Sequence, residues 1–493
     1  MSPSRHPLLY QLNTRVAMTE LSRSLGHAAT LDDLPDAELD RLAQLGFEWI
    51  WLLSVWQTGE AARRVSRGNS QWRAEFDHTL SDLREIDIAG SGFAISGYTV
   101  HRDLGGSAAL VRLRTRMRQR GLKLMLDFVP NHMAPDHPWV DKHPDFFVQG
   151  SESDSSRAPQ NYFRVDTAAG IRVFAHGRDP YFDGWPDTVQ LNYGDPSLRR
   201  AMQGELARIA DQCDGVRCDM AMLLLPEVFE RTWGIRAESF WPGAIEIVRR
   251  AYPKFVFLAE VYWDLEWTLQ CQGFDYTYDK RLYDRLREHQ ARPVREHLCA
   301  EPQFQNRSAR FLENHDEPRA AATFAPEMHA AAAVITFLAP GLRLLHDGQL
   351  EGRKARISPH LVRRPEEPVD HEIADFYDRL LAVLRHPAVR GGEWRLLEIE
   401  RAWAENASAE NFIAFSWQRG ARDWLWAVVN YAPHQGQCFV RFPFGELAGR
   451  TVRLKDRSGS NTYEQPGDDL LKRGLYVDLA AWKSHIFEVE SFS

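Results

Sequence analysis

Residues 122–132 read Leu122-Lys-Leu-Met-Leu-Asp127-Phe-Val-Pro-Asn131-His132. A short, nearly continuous apolar run stops here in a polar cluster, the pattern of a strand buried on both faces. Immediately upstream, residues 107–119 place Leu110, Leu113 and Met117 on one side of a helix, and Gly121 offers the backbone freedom to end it. The same theme recurs over the N-terminal four-fifths of the chain, with apolar runs at residues 49–53, 216–220, 255–261 and 342–345 separated by polar loops and helical spacing. Before the run at 216–220, Asp195 can cap a helix, Pro196 fits its first position, and Leu198, Met202, Leu206 and Ile209 share a face. Such alternation fits a closed barrel or an open doubly wound sheet. Residues 90–97 are the nearest match to a glycine-rich dinucleotide fingerprint, but they lack its spacing, and no phosphate loop ending in Lys-Ser/Thr occurs. The expected fold class is therefore α/β, an eight-stranded (β/α)8 TIM barrel.

Residues 133–185 lose this periodicity and are dominated by Pro, Asp, Ser and Gly, as in a long excursion over a functional face. Near Arg390-Gly391-Gly392 the character changes again, to short alternating runs at 411–417, 424–430, 438–442 and 485–489. The expected organisation is a catalytic barrel over residues 1–389, including a short insertion at 133–185 after the third strand, and a C-terminal all-β sandwich over 390–493.

The 493 residues are 44% hydrophobic and 26% charged, enough to bury a sizeable core and unlike an extended disordered or collagenous chain. With 60 Lys and Arg against 68 Asp and Glu, the net charge of -8 leaves no cationic excess for a phosphate backbone, so nucleic acid is not an expected partner. Cys213, Cys218, Cys271, Cys299 and Cys438 form no C-x-x-C pair, which argues for reduced thiols and a cytoplasmic location over a disulfide framework or a cysteine zinc site. Residues 1–10 lack the features of a secretory signal, and even the apolar stretch at 330–340 is shorter than the roughly 18 residues that span a bilayer. A soluble protein without a membrane partner is expected.

Four strand ends carry polar clusters: Asp127 to His132, Arg217-Cys218-Asp219, Glu260, and Glu313-Asn314-His315-Asp316. In a (β/α)8 barrel the C-terminal strand ends form the active-site face, so these distant segments converge. Strand alternation puts Arg217 and Asp219 on the same side, and a cation beside a carboxylate keeps it ionised. Glu260 follows Phe255-Val-Phe-Leu-Ala, where desolvation favours the protonated carboxyl. Two carboxylates in contrasting environments are what glycosidic cleavage requires, one to protonate the leaving oxygen and one to attack or stabilise the sugar carbon.

These clusters, in this order, resemble the motifs on the third, fourth, fifth and seventh barrel strands of the alpha-amylase family of glycoside hydrolases, and Gly97-Tyr98 adds to the likeness. The resemblance runs from about Tyr10 into the β-rich C-terminus. It implies Asp219 as nucleophile, Glu260 as general acid and base, and Asp316 as transition-state stabiliser. It further implies that Arg217 orients Asp219, that Asp127 supports that arginine, that His132 and His315 bond the sugar in the cleavage subsite, and that Tyr98 forms its platform. Retaining cleavage of α-glucosidic bonds in α-glucans, oligosaccharides or small α-glucosides is the expected activity, with glucosyl or maltosyl transfer or disaccharide isomerisation as the alternative. A non-catalytic carbohydrate-binding or partner protein would be expected to have lost catalytic residues, and all three carboxylates are present.

His315 and Asp316 come without H-E-x-x-H or a facial triad, so no catalytic metal and no required cofactor is expected. Asn131 matches the position where many family members begin a structural calcium site; calcium takes six to eight oxygen ligands, and the remaining ligands are not named by the sequence. Among the 16 tryptophans, Trp263 and Trp267 after Glu260, and Trp185 in the excursion, are the candidate sugar-stacking residues. Three further segments bear on the family pattern. After Asp219 the chain reads Met-Ala-Met-Leu-Leu-Leu-Pro226, without the Lys or His pair of many endo-amylases. Val189-Gln-Leu-Asn192 loosely matches the motif near the end of the excursion. Gly348, Gln349 and Glu351 match the eighth-strand motif.

Overall fold

The computed structural model describes residues 5–167, 170–420, 423–459 and 461–492. Eight parallel strands close into a barrel: Leu8–Asn13, Trp49–Leu53, Lys123–Phe128, Gly215–Cys218, Val256–Ala259, Tyr276–Tyr278, Ser308–Arg310 and Leu342–His346. Each pairs with the next in chain order, and the eighth returns to the first with Leu8 opposite Arg343 and Gln11 opposite His346. Helices cover the outside and side chains fill the inside, so a strand such as Trp49–Leu53 is buried throughout and shows no polar alternation. The sixth and seventh strands have only three residues each and leave no apolar run in the sequence.

The two helices anticipated from spacing form as Gly106–Gln119 and Pro196–Gln212. The Asp195 carboxylate accepts from Ser197 N at 2.7 Å, while Leu198, Met202, Leu206 and Ile209 are buried against the barrel. Gly121, at φ +74°, turns the chain from the first of these helices into the third strand.

The excursion after the third strand is more ordered than its composition suggests. His132–Met133 pairs antiparallel with Val189–Gln190, closing its base, and Tyr162–Thr167 forms a hairpin with Gly170–Ala175. Short helices occupy Trp139–Lys142 and Glu152–Arg157. Elements of four to six residues are too short to show as periodicity.

After Gly392 the chain builds two antiparallel sheets. One has six strands, ordered Glu393–Leu396, Phe412–Arg419, Asp423–Asn430, Ser484–Phe492, Thr451–Asp456 and Thr462–Pro466; the other has Ile399–Glu400, Gly436–Val440 and Leu475–Leu479. Trp424, Trp426, Phe442, Phe444, Cys438 and Val477 fill the space between them. The opposite face of the larger sheet, with Ile413, Phe415, Trp417, Leu425 and Ala427, joins the barrel's own core. Trp417 Nε1 donates to Leu338 O at 2.7 Å, and the Tyr431 hydroxyl donates to Leu286 O at 2.7 Å, so buried donors on the sheet side are satisfied by the barrel. Among the described residues no helix is long and apolar enough to cross a membrane.

Candidate active site

The fourth strand sets the geometry. Arg217 stands opposite Asp127 of the third strand and Leu258 of the fifth, and its side chain is fully buried inside the barrel mouth. Period-two alternation sends Asp219 the same way. Arg217 Nη1 donates to Asp219 Oδ1 at 2.5 Å. Glu260 Oε2 lies 2.8 Å from Nη2, yet no N–H of that nitrogen points at it, so the contact is close without being a hydrogen bond. Asp316 Oδ2 lies 3.9 Å from the same nitrogen. One guanidinium therefore gathers carboxylates from the ends of the fourth, fifth and seventh strands. Trp51, Phe93 and Tyr278 wall it in, at 5.3, 5.3 and 5.8 Å from its carbon to their ring centroids. Aromatic faces favour the cation, and excluding water strengthens its pull on the carboxylates.

The two buried carboxylates of these three, Glu260 and Asp219, have different neighbours. Glu260 Oε2 accepts from Met220 N at 2.7 Å and Oε1 accepts from the Tyr262 hydroxyl at 2.9 Å. Burial pushes the Glu260 carboxyl up to about 8; Arg217 opposes this, and the Asp219 and Asp316 charges add to it. Asp219 is the carboxylate with an aligned guanidinium N–H. The Met220 amide reaches Glu260 because Met220 is left-handed, at φ +43°. Ser54, Trp263 and Asp264 are left-handed as well, so four of the six non-glycine residues with positive φ among the described residues sit just beyond the second, fourth and fifth strands. Strain of this kind persists where surrounding contacts enforce it.

Asp127 is not within ion-pair distance of Arg217. Its Oδ1 accepts from Trp51 Nε1 at 3.0 Å and its Oδ2 from Ser54 N at 3.1 Å, so it braces the tryptophan that faces the guanidinium. Burial raises its carboxyl to about 7, against the pull of Arg217. His315 stacks on Phe93 with centroids 5.3 Å apart and meets Gln11 Nε2 at 2.8 Å through Nδ1. Burial lowers this imidazole to about 4 and keeps it neutral. With Gln11 donating to Nδ1, the ring proton sits on Nε2, which is buried, lies 3.2 Å from Asp316 Oδ2 without hydrogen-bond alignment and has no hydrogen-bond partner. His132 is likewise lowered by burial, and its ring lies 5.2 Å from that of Trp185. The Tyr98 hydroxyl donates to Val129 O at 2.8 Å and accepts from Val129 N at 3.0 Å, which locks the ring beside Trp56 and Phe128. All eight expected residues thus lie at one barrel mouth. Trp51, Phe93, Tyr278, Tyr262 and Gln11 were not anticipated; Tyr262 bonds Glu260 from two residues away, and the other four reach the site by contacts between distant segments that no local pattern announces.

Two motif residues take structural positions. Gln349 Oε1 accepts from His346 N at 3.1 Å and its Nε2 donates to the Tyr377 hydroxyl at 2.8 Å, shaping the loop after the eighth strand. Gln190 is fully buried, and its Nε2 donates towards Asn131 O, Asn131 Oδ1 and Leu191 O at 2.9, 3.1 and 3.0 Å. An uncharged amide thus occupies the point where these oxygens converge. Both Asn131 oxygens are engaged, and no group of three or more His, Cys, Asp or Glu suited to a metal ion occurs among the described residues. This donor set does not fit calcium.

The pattern of the family described as "Alpha amylase, catalytic domain" matches residues 36–372. Alpha-amylase MalA of Haloarcula japonica is 26% identical over 387 residues, which is 77% of this chain and 48% of that protein. The alpha-1,4-glucan:maltose-1-phosphate maltosyltransferase of Burkholderia pseudomallei is 31% identical over 161 residues, 31% of this chain and 13% of that one. The chain therefore spans less than half the length of these curated relatives. Among solved structures, the maltogenic alpha-amylase AmyB of Thermotoga neapolitana superposes with a TM-score of 0.70 at 18% identity, covering 99% of both chains and so sharing the fold. A closed parallel barrel, polar clusters meeting at its C-terminal mouth and a match spanning most of the barrel lead to one conclusion: this chain belongs to the alpha-amylase family.

Proposed function

We propose that this protein cleaves α-glucosidic bonds in α-glucans, oligosaccharides or small α-glucosides with retention of configuration, through a covalent glycosyl-enzyme on Asp219. The observation that carries this reading is the convergence of Asp219, Glu260 and Asp316 on one buried guanidinium, with burial holding Glu260 protonated up to about pH 8. In the first half-reaction an Asp219 oxygen attacks the anomeric carbon as the bond to the leaving oxygen breaks, and the Glu260 proton passes to that oxygen. Arg217 engages Oδ1, so Oδ2 forms the new bond. Asp316, with its side chain 42% exposed, offers its charge to the oxocarbenium-like sugar. In the second half-reaction the Glu260 carboxylate takes a proton from water, whose oxygen attacks the same carbon and releases Asp219. A sugar hydroxyl in place of water gives transfer, the alternative supported by the maltosyltransferase likeness.

The five free cysteines support a reducing, cytoplasmic setting for this activity. The test is incubation with maltooligosaccharides, sucrose, trehalose and isomaltose while proton NMR follows the first anomer formed. The α-anomer is expected first, and Asp219→Asn is expected to lose at least about a thousandfold in kcat. An initial β-anomer, or turnover that survives Asp219→Asn, overturns the reading.

A further inference from the structure

Three arginines converge on one stretch of backbone between the second and third barrel strands. Arg67 Nε donates to Ile88 O at 3.2 Å, Arg63 Nε to Ala89 O at 3.4 Å and Arg15 Nη1 to Gly90 O at 2.7 Å. Arg63 and Arg67 come from the helix Glu60–Gly68, and Arg15 from the helix Thr14–Leu25. The first of these helices lies directly on the segment: Gly90 is left-handed at φ +88°, and a Cβ there would fall 3.0 Å from Arg63 Cα. Three neutral carbonyls each take one N–H, so most donors and all of the charge on the guanidiniums remain unmatched by them.

All three arginines line a cavity of about 460 Å³, whose wall is otherwise largely apolar, with Met18, Ile88 and Leu104. Among the described residues the one carboxylate on that wall is Asp103, 71% exposed, with its oxygens 3.6 Å from His101 Nδ1 and Arg102 Nε. Arg63 and Arg67 reach Glu60 and Glu85 at 3.1 and 3.6 Å, but both carboxylates are more than half exposed, where water screens them. Arg15 forms no ion pair among the described residues; its second bond is Nη2 to Thr58 Oγ1 at 3.2 Å. Burial, and then the charge of Arg63, lower its guanidinium to about 10, so it stays charged at a cost that an anion would remove. The segment then runs on into the active site. A Cβ on Gly92 would fall 1.9 Å from Ser54 Oγ, which leaves the backbone no room to shift, and Phe93 next to it stacks on His315 and faces Arg217.

A carboxylate would bring one charge and two oxygens to three guanidiniums. A phosphate monoester brings up to two charges and three terminal oxygens that accept from the planar forks, and its organic part takes the apolar wall. We propose that this cavity binds a small phosphate monoester, and that its occupancy raises activity by firming residues 88–93 behind Phe93. The anion offsets the mutual repulsion of the arginines, which then hold the carbonyls of Ile88, Ala89 and Gly90 more tightly. Binding stands apart from the reading of Glu260 as the acid and base; only the effect on rate rests on it.

The test is isothermal titration calorimetry at fixed ionic strength with phenyl phosphate, inorganic phosphate and uncharged phenol as probes. Phenyl phosphate is expected to occupy one site per chain, about tenfold more tightly than inorganic phosphate, with phenol not binding. Arg63→Gln and Arg67→Gln, at two half-exposed positions of one surface helix, are each expected to weaken phenyl phosphate about tenfold. On the unmutated protein phenyl phosphate is expected to raise kcat/KM for maltotetraose about twofold, and in the two variants, at the same concentration, to raise it less. Affinity unchanged in both folded variants overturns the site, as does tighter binding of phenol than of phenyl phosphate. Binding at this site that leaves the rate unmoved overturns the link to Phe93. A chain that turns over no sugar defeats the catalytic reading, while the calorimetry still decides the site, so the two failures are told apart.

Discussion

Arg217 and Glu260 show how single residues divide the chemistry. The buried guanidinium gives Asp219 an aligned N–H, whereas Glu260 faces it without alignment and takes its bonds from Met220 N and Tyr262. Burial outweighs the pull of Arg217 and of the Met220 amide, so Glu260 keeps its proton where ordinary carboxyls have lost theirs. Its carboxyl rises on folding from 4.5 to about 8, so the folded form holds the proton more tightly. The stability this contributes is complete below the unfolded value and is lost as pH rises through about 8. Activity is expected to fall over the same upper limb as the acid ionises, read from kcat/KM against pH. Glu260→Gln is expected to lower turnover of maltotetraose by about 100-fold or more, to spare formation of the glycosyl-enzyme from α-glucosyl fluoride while slowing its hydrolysis, and to flatten the stability decline in urea titrations between those pH values. Trp51→Phe removes the donor at Asp127 Oδ1. Leaving that buried oxygen unpaired is expected to cost about 1–3 kcal/mol in urea unfolding.

At the scale of elements, the excursion is held to the barrel by the pairing of His132–Met133 with Val189–Gln190 and by the Gln190 amide among three carbonyl oxygens. The amide's N–H groups do here what a cation does elsewhere, ordering oxygens that would otherwise repel one another. Thermal melts are therefore expected to be unchanged by EDTA and by millimolar calcium; a calcium-dependent rise in Tm would contradict this. Gln190→Leu leaves buried oxygens short of donors and is expected to cost about 1–3 kcal/mol, with activity falling too, because Asn131 adjoins His132. The residues at 133–185 looked structureless because their helices and strands are at most six residues long, too few repeats for a pattern to show. The helices Gly106–Gln119 and Pro196–Gln212 were legible because each repeats its buried face over several turns.

At the scale of the whole molecule, the six-stranded sheet belongs to two cores at once. Phe412–Arg419 reads as nearly continuous apolar residues because one face meets the smaller sheet and the other meets the barrel. The same arrangement explains Pro326–Leu338, which is apolar nearly all round: the barrel covers one side, and Trp417 from the sheet reaches its last residue. Barrel and sheet domain are therefore expected to unfold in a single calorimetric transition. Phe415→Ala, deep in the shared core, is expected to cost about 3–5 kcal/mol and to lower the melting of the barrel, seen as loss of enzymatic activity at the same temperature. Two separate transitions would contradict the shared core.

The sequence alone determined a parallel α/β fold, because long runs such as Leu122 to Val129 must be buried on both faces, and the lack of a dinucleotide or phosphate-loop fingerprint favoured the barrel over an open sheet. It also determined which carboxylates to examine, since Asp219 and Glu260 directly follow such runs and motif order ties them to Asp316. Only the tertiary structure decided what surrounds them. The aromatic box around Arg217, the diversion of Asp127 to Trp51 and Ser54, the Gln190 amide beside Asn131 and the approach of Tyr181 to Trp263 all join residues distant in sequence. Periodicity records which way a residue faces; which partner it meets across a closed barrel depends on how every strand and loop packs at once.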